Sequence, residues 1–241
     1  RVALVTGGSS GIGAACVRLL AAEGARVVVG YHRGLDRAQS LLQTLPGKGH
    51  MCVAIDLEQP ATHDAVAKEL AASYGKLDVL VNSAGFTRRI PHSDLATLTP
   101  ELFGTLLAAN VTGPYSITRA LIPLLQASHQ GTVVSVSSVA AFTGSGSNIA
   151  YCAAKAAMDT VTMSLARAFG PAIRFLSVSP ASVDTAFVEG RSREEIAKKA
   201  ATTPLGRVVE PDDVARAVLA CVTHLTTATG VRIVVDGGHT L

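Results

Sequence analysis

Val2-Ala3-Leu4-Val5-Thr6-Gly7-Gly8-Ser9-Ser10-Gly11-Ile12-Gly13 opens the chain, and the fold turns on how it reads. Val2 to Val5 is a short apolar run ending at Thr6-Gly7. From Ile12 the apolar residues Ile12, Cys16, Leu19 and Leu20 take up helical spacing until Gly24 stops it. Strand, glycine turn and helix in that order let a backbone approach a pyrophosphate closely, with unpaired N–H groups at the helix N-terminus facing the negative charge. The spacing is not G-x-G-x-x-G, and a glycine turn alone is often just a turn, so the rest of the chain has to support a dinucleotide site.

The pattern repeats. Apolar runs at Arg26 to Gly30, Met51 to Ile55, Leu77 to Val81, Thr132 to Val136, Arg174 to Val178 and Val231 to Asp236 read as six further strands. Between them lie helices: Pro60 to Tyr74, ended by Gly75; one opening at Thr99-Pro100-Glu101; one through Met158, Val161 and Leu165 to Gly170; and one from Pro211 to Leu225. The expectation is an α/β fold, a single Rossmann-type domain over residues 1–241. It has a doubly wound, parallel, seven-stranded sheet and helices on both faces. Ligands in such a sheet bind beyond the carboxyl ends of the strands, and Gly7, Asn82, Ser138 and Pro180 all follow strand ends. They predict one site.

Bulk properties narrow the function classes. At 241 residues and 48% hydrophobic the chain can bury one large core, and a net charge of +3 with 16% charged residues is too mild for a nucleic-acid surface. Cys16, Cys52, Cys152 and Cys221 are far apart, form no C-x-x-C, and read as buried free thiols suited to a reducing, cytoplasmic location; no metal site is expected. No apolar run reaches 18 residues, so no membrane span is predicted. The chain opens directly on strand residues, which leaves room for a native segment before Arg1.

The chemistry is carried by Tyr151-Cys152-Ala153-Ala154-Lys155, because residues four apart on a helix face the same way. At an effective dielectric of about 20, an ammonium roughly 6 Å from the phenol contributes nearly 3 kcal/mol, or about two pKa units. Such pairs are common on ordinary helices. Ser138, 13 residues upstream and just past a strand, gives this one a partner.

Ser138, Tyr151-x-x-x-Lys155 and Thr6-Gly-x-x-x-Gly-x-Gly13 together resemble the short-chain dehydrogenase/reductase family in its compact form, and the likeness runs to Asp236-Gly237-Gly238. The resemblance implies a hydride transfer between nicotinamide C4 and a carbonyl or secondary alcohol. Ser138 would polarise the substrate oxygen, Tyr151 would exchange its proton, Lys155 would lower the phenol pKa and bind the nicotinamide ribose, and Asn110 would anchor a water in the proton path. Without the resemblance, Asn110 reads as a satisfied structural amide. The implied cofactor contacts are Gly7, Ser9, Ser10, Gly11, Ile12 and Gly13 of the turn, Asp56-Leu57 at the adenine, and Asn82, Ala84 and Gly85 beyond the fourth strand. Tyr151, Lys155, Pro180, Val183 and Thr185 complete the set at the nicotinamide.

Two departures from the family pattern stand out. Ser83 replaces an asparagine, and Ala181 replaces the glycine after Pro180, where the turn over the nicotinamide is expected to differ because alanine resists positive φ. Position 31, where an NAD site usually carries an acid, is tyrosine, and Arg33 stands where it can pair with a 2′-phosphate. NADP(H) is therefore expected over NAD(H). The bland alternative leaves Arg33 solvated with Asp36 swinging in, although Asp36 suits the cap of the next helix better.

The chain thus reads as a reductase of a small carbonyl compound, with residues 186–204 as a lid over the substrate and a homotetramer as the assembly the resemblance implies. The alternatives are a 3-oxoacyl-carrier-protein reductase, and a non-catalytic dinucleotide-binding regulator that would have no use for Tyr151 and Lys155. Gln126 to Gln130 and Phe169 to Ala172, where the carrier-dependent relatives hold basic residues for an acidic carrier, contain no arginine or lysine. A free substrate is expected, with Arg88 or Arg89 either holding an anionic group or simply solvated.

Overall fold

A computed structural model describes all residues, 1–241. Its strands are β1 (Val2–Thr6), β2 (Arg26–Tyr31), β3 (Met51–Ala54), β4 (Val79–Asn82), β5 (Gly131–Val136), β6 (Ile173–Pro180) and β7 (Arg232–Val235), within a residue or two of the predicted runs. They form one parallel sheet in the order β3-β2-β1-β4-β5-β6-β7. The order reverses between β1 and β4, and a crevice opens there at the carboxyl ends of the strands.

The central strands β1 and β5 are buried at every position because both faces are covered. Ala3 and Val5 point to the side packed by α1 (Gly11–Ala22) and α9 (Pro211–Thr223), with α2 (Leu35–Thr44) further along. Val2 and Leu4 point to the other side, packed by α3 (His63–Tyr74) and α5 (Gly113–Gln126) together with the later part of α7 (Ile149–Phe169). The remaining helices are α4 (Pro100–Leu107), α6 (Ala140–Thr143) and α8 (Arg193–Ala200).

Several local signals act as read. Thr99 Oγ1 accepts from the Leu102 N–H at 3.3 Å to cap α4, and Gly75 ends α3 at φ 71. Others are corrected. Asp36 lies in the first turn of α2 rather than at its cap, which is Gly34. Before Gly113-Pro114, α4 runs into α5 through a π turn at Ala108–Thr112. The cause is Pro114, which has no N–H to give the Asn110 carbonyl, so the helix widens there rather than closing its usual bond. Ala181 needs no positive φ either. Its N–H pairs with Val235 O at 3.1 Å, so the expected change of turn does not follow from losing glycine.

Candidate active site

The glycine turn is built for close approach. Gly7 (φ 63) has Ala84 Cα 2.9 Å from where a Cβ would sit, and a Cβ on Gly13 would lie 2.2 Å from Gly7 O. Any side chain here would push the turn off the ends of β1 and β4. The N-terminus of α1 carries no side-chain cap at Ser10, so its first-turn N–H groups are free for an anion. This cradle fits a pyrophosphate.

A cleft of about 1760 Å³ runs from this turn along the carboxyl edge of the sheet. Of the residues singled out from sequence, Gly7, Ser9, Ser10, Gly11, Ile12, Gly13, Arg33, Ala84, Gly85, Ser138, Tyr151, Lys155, Pro180, Val183 and Thr185 line it. Thr185 folds back over the turn, its Cγ2 3.3 Å from a Cβ built on Gly11. Asp56, Leu57, Asn82 and Asn110 are not on its wall. Asp56 accepts from Glu58 N at 3.0 Å and Gln59 Nε2 at 3.2 Å, closing its own turn, and Leu57 packs on Gly113. Asn82 Nδ2 donates to Thr118 Oγ1 of α5 at 3.0 Å, so it ties the strand to a helix rather than to its neighbouring strand. That tie is made by Thr6, which sequence reading passed over. Its hydroxyl accepts from Ser83 N and Ala84 N, both at 3.1 Å, and donates to Val81 O at 3.4 Å. Ser83 contributes its backbone there, which is why the side chain at 83 can vary.

The catalytic-type residues converge from three elements. The strand alternation at the end of β5 buries Ser137 and turns Ser138 to the cleft, where Ser138 Oγ also accepts from Ala140 N at 3.1 Å. Asn148 caps α7, its Oδ1 accepting from Tyr151 N at 2.7 Å, which sets the first turn and aims Tyr151. Lys155, one turn on, is buried, with Nζ 5.6 Å from the Tyr151 ring centroid and donating to Val136 O at 2.8 Å. Asn110, in the π turn, donates from Nδ2 to Phe86 O at 2.7 Å and Leu106 O at 2.9 Å, while its buried Oδ1 has no partner and faces Gly85.

Burial dominates the ionisation of both Tyr151 and Lys155. Burial pushes the Tyr151 phenol up to about 12, opposed by a hydrogen bond with Ser138 and by the Arg191 guanidinium. Burial pulls Lys155 down to about 8, with Asp159 pushing it back up. Lys155 Nζ, 5.6 Å from the Tyr151 ring centroid, and Arg191, from the segment before α8, are the two cations near the phenol.

A family model described as enoyl-(acyl carrier protein) reductase matches residues 7–240. The chain is 41% identical over 242 residues to the ketoacyl reductase 2 assigned to the granaticin polyketide synthase of Streptomyces violaceoruber, covering 98% of this chain and 95% of that protein. It is 34% identical to cis-4-hydroxycyclohexanecarboxylate dehydrogenase of Sinomonas cyclohexanicum, over 100% and 96% of the two chains. A crystal structure of 3-ketoacyl-(acyl-carrier-protein) reductase from Brucella melitensis complexed with NADH superposes with a TM-score of 0.90 at 31% identity, over 100% and 98% of the chains. The chain belongs to the short-chain dehydrogenase/reductase family.

As a short-chain dehydrogenase/reductase it is an oxidoreductase acting between CH–OH and C=O groups with a nicotinamide cofactor. No helix is long and apolar enough to cross a membrane, and no cluster of three or more His, Cys, Asp or Glu side chains is placed to hold a metal ion. Besides Thr6 and Arg191, sequence reading missed Arg37 and Phe187. Arg37, in the first turn of α2, lines the cleft with its guanidinium beside Gly34 and Ser9. The Phe187 ring lies 6.0 Å from that of Tyr151. A second arginine so soon after Arg33, in the first turn of the next helix, is a signal sequence could have offered for Arg37; nothing local marks Phe187.

Proposed function

We propose that this protein reduces the ketone of a small free molecule with NADPH. The observation that carries the reading is the meeting of Ser138, Tyr151 and Lys155 at the end of a cleft that begins at a pyrophosphate-shaped turn. The cofactor would lie on the turn with its adenine end toward Arg33 and Arg37 and its nicotinamide end beneath Pro180 and Thr185. When bound, it supplies the hydride. Ser138 donates a hydrogen bond to the carbonyl oxygen as negative charge gathers there. Tyr151 gives that oxygen its proton. A phenol pushed up to about 12 holds its proton across the neutral range, which favours the reducing direction, and a developing alkoxide is a stronger base than the phenolate left behind. Lys155 holds the ribose, and the unpartnered Asn110 Oδ1 is free to accept from a water that returns a proton to the site.

Arg33 and Arg37 together, with tyrosine at 31, support NADP(H). Two guanidiniums at the cleft wall suit a 2′-phosphate, while Asp36 is on the first turn of α2 and off that wall. Residues 186–204, including α8, are read as a lid. Arg89 Nη1 reaches Glu195 Oε2 of α8 at 3.0 Å across the cleft mouth, and Arg193 pairs with Asp184 and Glu210 at the lid's base.

The contrast with a carrier-protein reductase needs a new basis. Residues 126–130 and 169–172 precede β5 and β6 and so lie at the amino ends of the strands, away from the cleft of their own chain. Their lack of basic residues does not bear on its mouth, where Lys198 and Lys199 stand. Those two lysines favour the second reading, an acidic acyl carrier; the guanidinium beside Tyr151 favours the first. Initial rates with NADPH on free ketones and on 3-oxoacyl thioesters, free and carrier-bound, decide it. The reading predicts turnover of free ketones. Efficient reduction of carrier-bound thioesters alone would overturn it.

A further inference from the structure

Arg191 is half-buried in the cleft wall, and its guanidinium makes no hydrogen bond to a side chain or carbonyl and no ion pair. A cation stripped of part of its water and given no partner is an expensive arrangement in a folded protein. The acids around it are already engaged. Glu195, whose charge it feels, accepts from Arg89 at 3.0 and 3.4 Å, and Asp184 and Glu210 accept from Arg193. Arg89 and Arg193 thus hold the neighbouring carboxylates and leave Arg191 unpaired in the cleft wall. It follows Gly190 (φ 73), whose left-handed turn brings the chain from Phe187 and Val188 into α8. Arg191 stands near enough to Tyr151 that the phenol and the guanidinium each shift the other's ionisation.

We propose that Arg191 binds a carboxylate of the substrate, so that the molecule reduced is a free oxo acid rather than a neutral ketone or a thioester. The inference rests on the ketone-reductase reading and adds its substrate class. The carboxylate meets a planar fork of donors, which suits two parallel hydrogen bonds. The ketone end lies at Ser138 and Tyr151, and Phe187 and Ile90 offer apolar contact to the carbon chain between them. In the reaction the ketone carbon takes a hydride from the reduced nicotinamide, the oxygen takes the Tyr151 proton, and a C–H and an O–H bond form as the carbonyl π bond is lost. The carboxylate is unchanged. A thioester presents no charge at this point, and so leaves the guanidinium unpaired.

The test is a series of matched pairs: 3-oxobutanoate, 4-oxopentanoate and 5-oxohexanoate, each against its methyl ester, with NADPH, for wild type, Arg191→Lys and Arg191→Gln. The readout is the acid-to-ester ratio of kcat/KM, from which any influence of Arg191 on Tyr151 common to both substrates cancels. We expect a ratio of roughly 10 to 100 for at least one chain length in wild type, as for a charge-assisted hydrogen bond. It should shrink in Arg191→Lys and collapse towards one in Arg191→Gln, with the change in KM. Esters reduced as well as acids by wild type, or the same ratio in wild type and Arg191→Gln, would overturn the proposal while leaving ketone reduction standing. Failure on every acid and every ester would sink both readings.

Discussion

Replacing Tyr151 by phenylalanine removes one oxygen from a ring that stays packed beside Phe187, so Tyr151→Phe should fold and bind NADPH yet lose at least about a hundredfold in rate. Rates near wild type in a stopped-flow assay would refute its role. Arg33 and Arg37 act at the other end of the cleft. Arg33→Ala and Arg37→Ala should each narrow the preference for NADPH over NADH by about 1 to 3 kcal/mol, read from fluorescence titrations of both cofactors. Equal affinities in wild type would sink the assignment. Lys155 permits a pH test independent of turnover. Its folded pKa of about 8 lies below the ordinary lysine value of 10.5, so between those values the unfolded chain binds more protons and folding gains stability as pH rises. Lys155→Met removes that dependence. Without added cofactor, the variant should be more stable than wild type below pH 8, by up to about 3 kcal/mol, and the gap should close towards pH 10.5. A gap constant with pH in urea titrations would contradict the buried charge. The sequence pointed to Tyr151, Lys155 and Arg33, though not to Arg37, because helical spacing and strand ends are local facts. The burial of Tyr151 and the approach of Arg191 were not legible, because they depend on a segment 40 residues away.

Among the elements, α7 was the most legible. The four-residue step from Tyr151 to Lys155 is written in adjacent residues, while its cap, Asn148, was not read from them. The π turn at Ala108–Thr112 was half legible, since proline announces a lost hydrogen bond without saying whether the helix breaks or widens. The stretch 186–204 was legible only as charged. Its pairing across the cleft mouth, Arg89 with Glu195, joins residues more than a hundred apart. If this stretch opens and closes over substrate, trypsin should cut at Arg191, Arg193, Lys198 or Lys199 before it cuts elsewhere, and NADPH with a substrate analogue should slow that cut. First cleavage within the sheet-packing helices, mapped by mass spectrometry, would argue against a lid.

At the scale of the molecule, the seven strands and both packed faces could be read in advance because parallel strands covered on two sides read as near-continuous apolar runs. What covers the outer helices could not. Tyr115 on α5 and Met163 on α7 stand exposed at 44% and 46%, and Leu205 and Val234 near β7 are exposed too. Apolar side chains of that size on helix faces fit burial against further copies of the chain, and a homo-oligomer, most simply a tetramer, is expected. Light scattering at micromolar concentration should give a multiple of 24.7 kDa, and Met163→Arg or Tyr115→Glu should lower it. A wild-type monomer would count against this. The Thr6 hydroxyl, holding β1 to the end of β4 and the backbone just beyond it by three hydrogen bonds, has a consequence for how such a protein diverges. It locks the floor of the cleft into one rigid piece, while the wall that meets substrate hangs from two short ends of chain and holds little of the core. Descendants can therefore trade one substrate for another by drift in the wall alone, inheriting the chemistry of the floor unaltered.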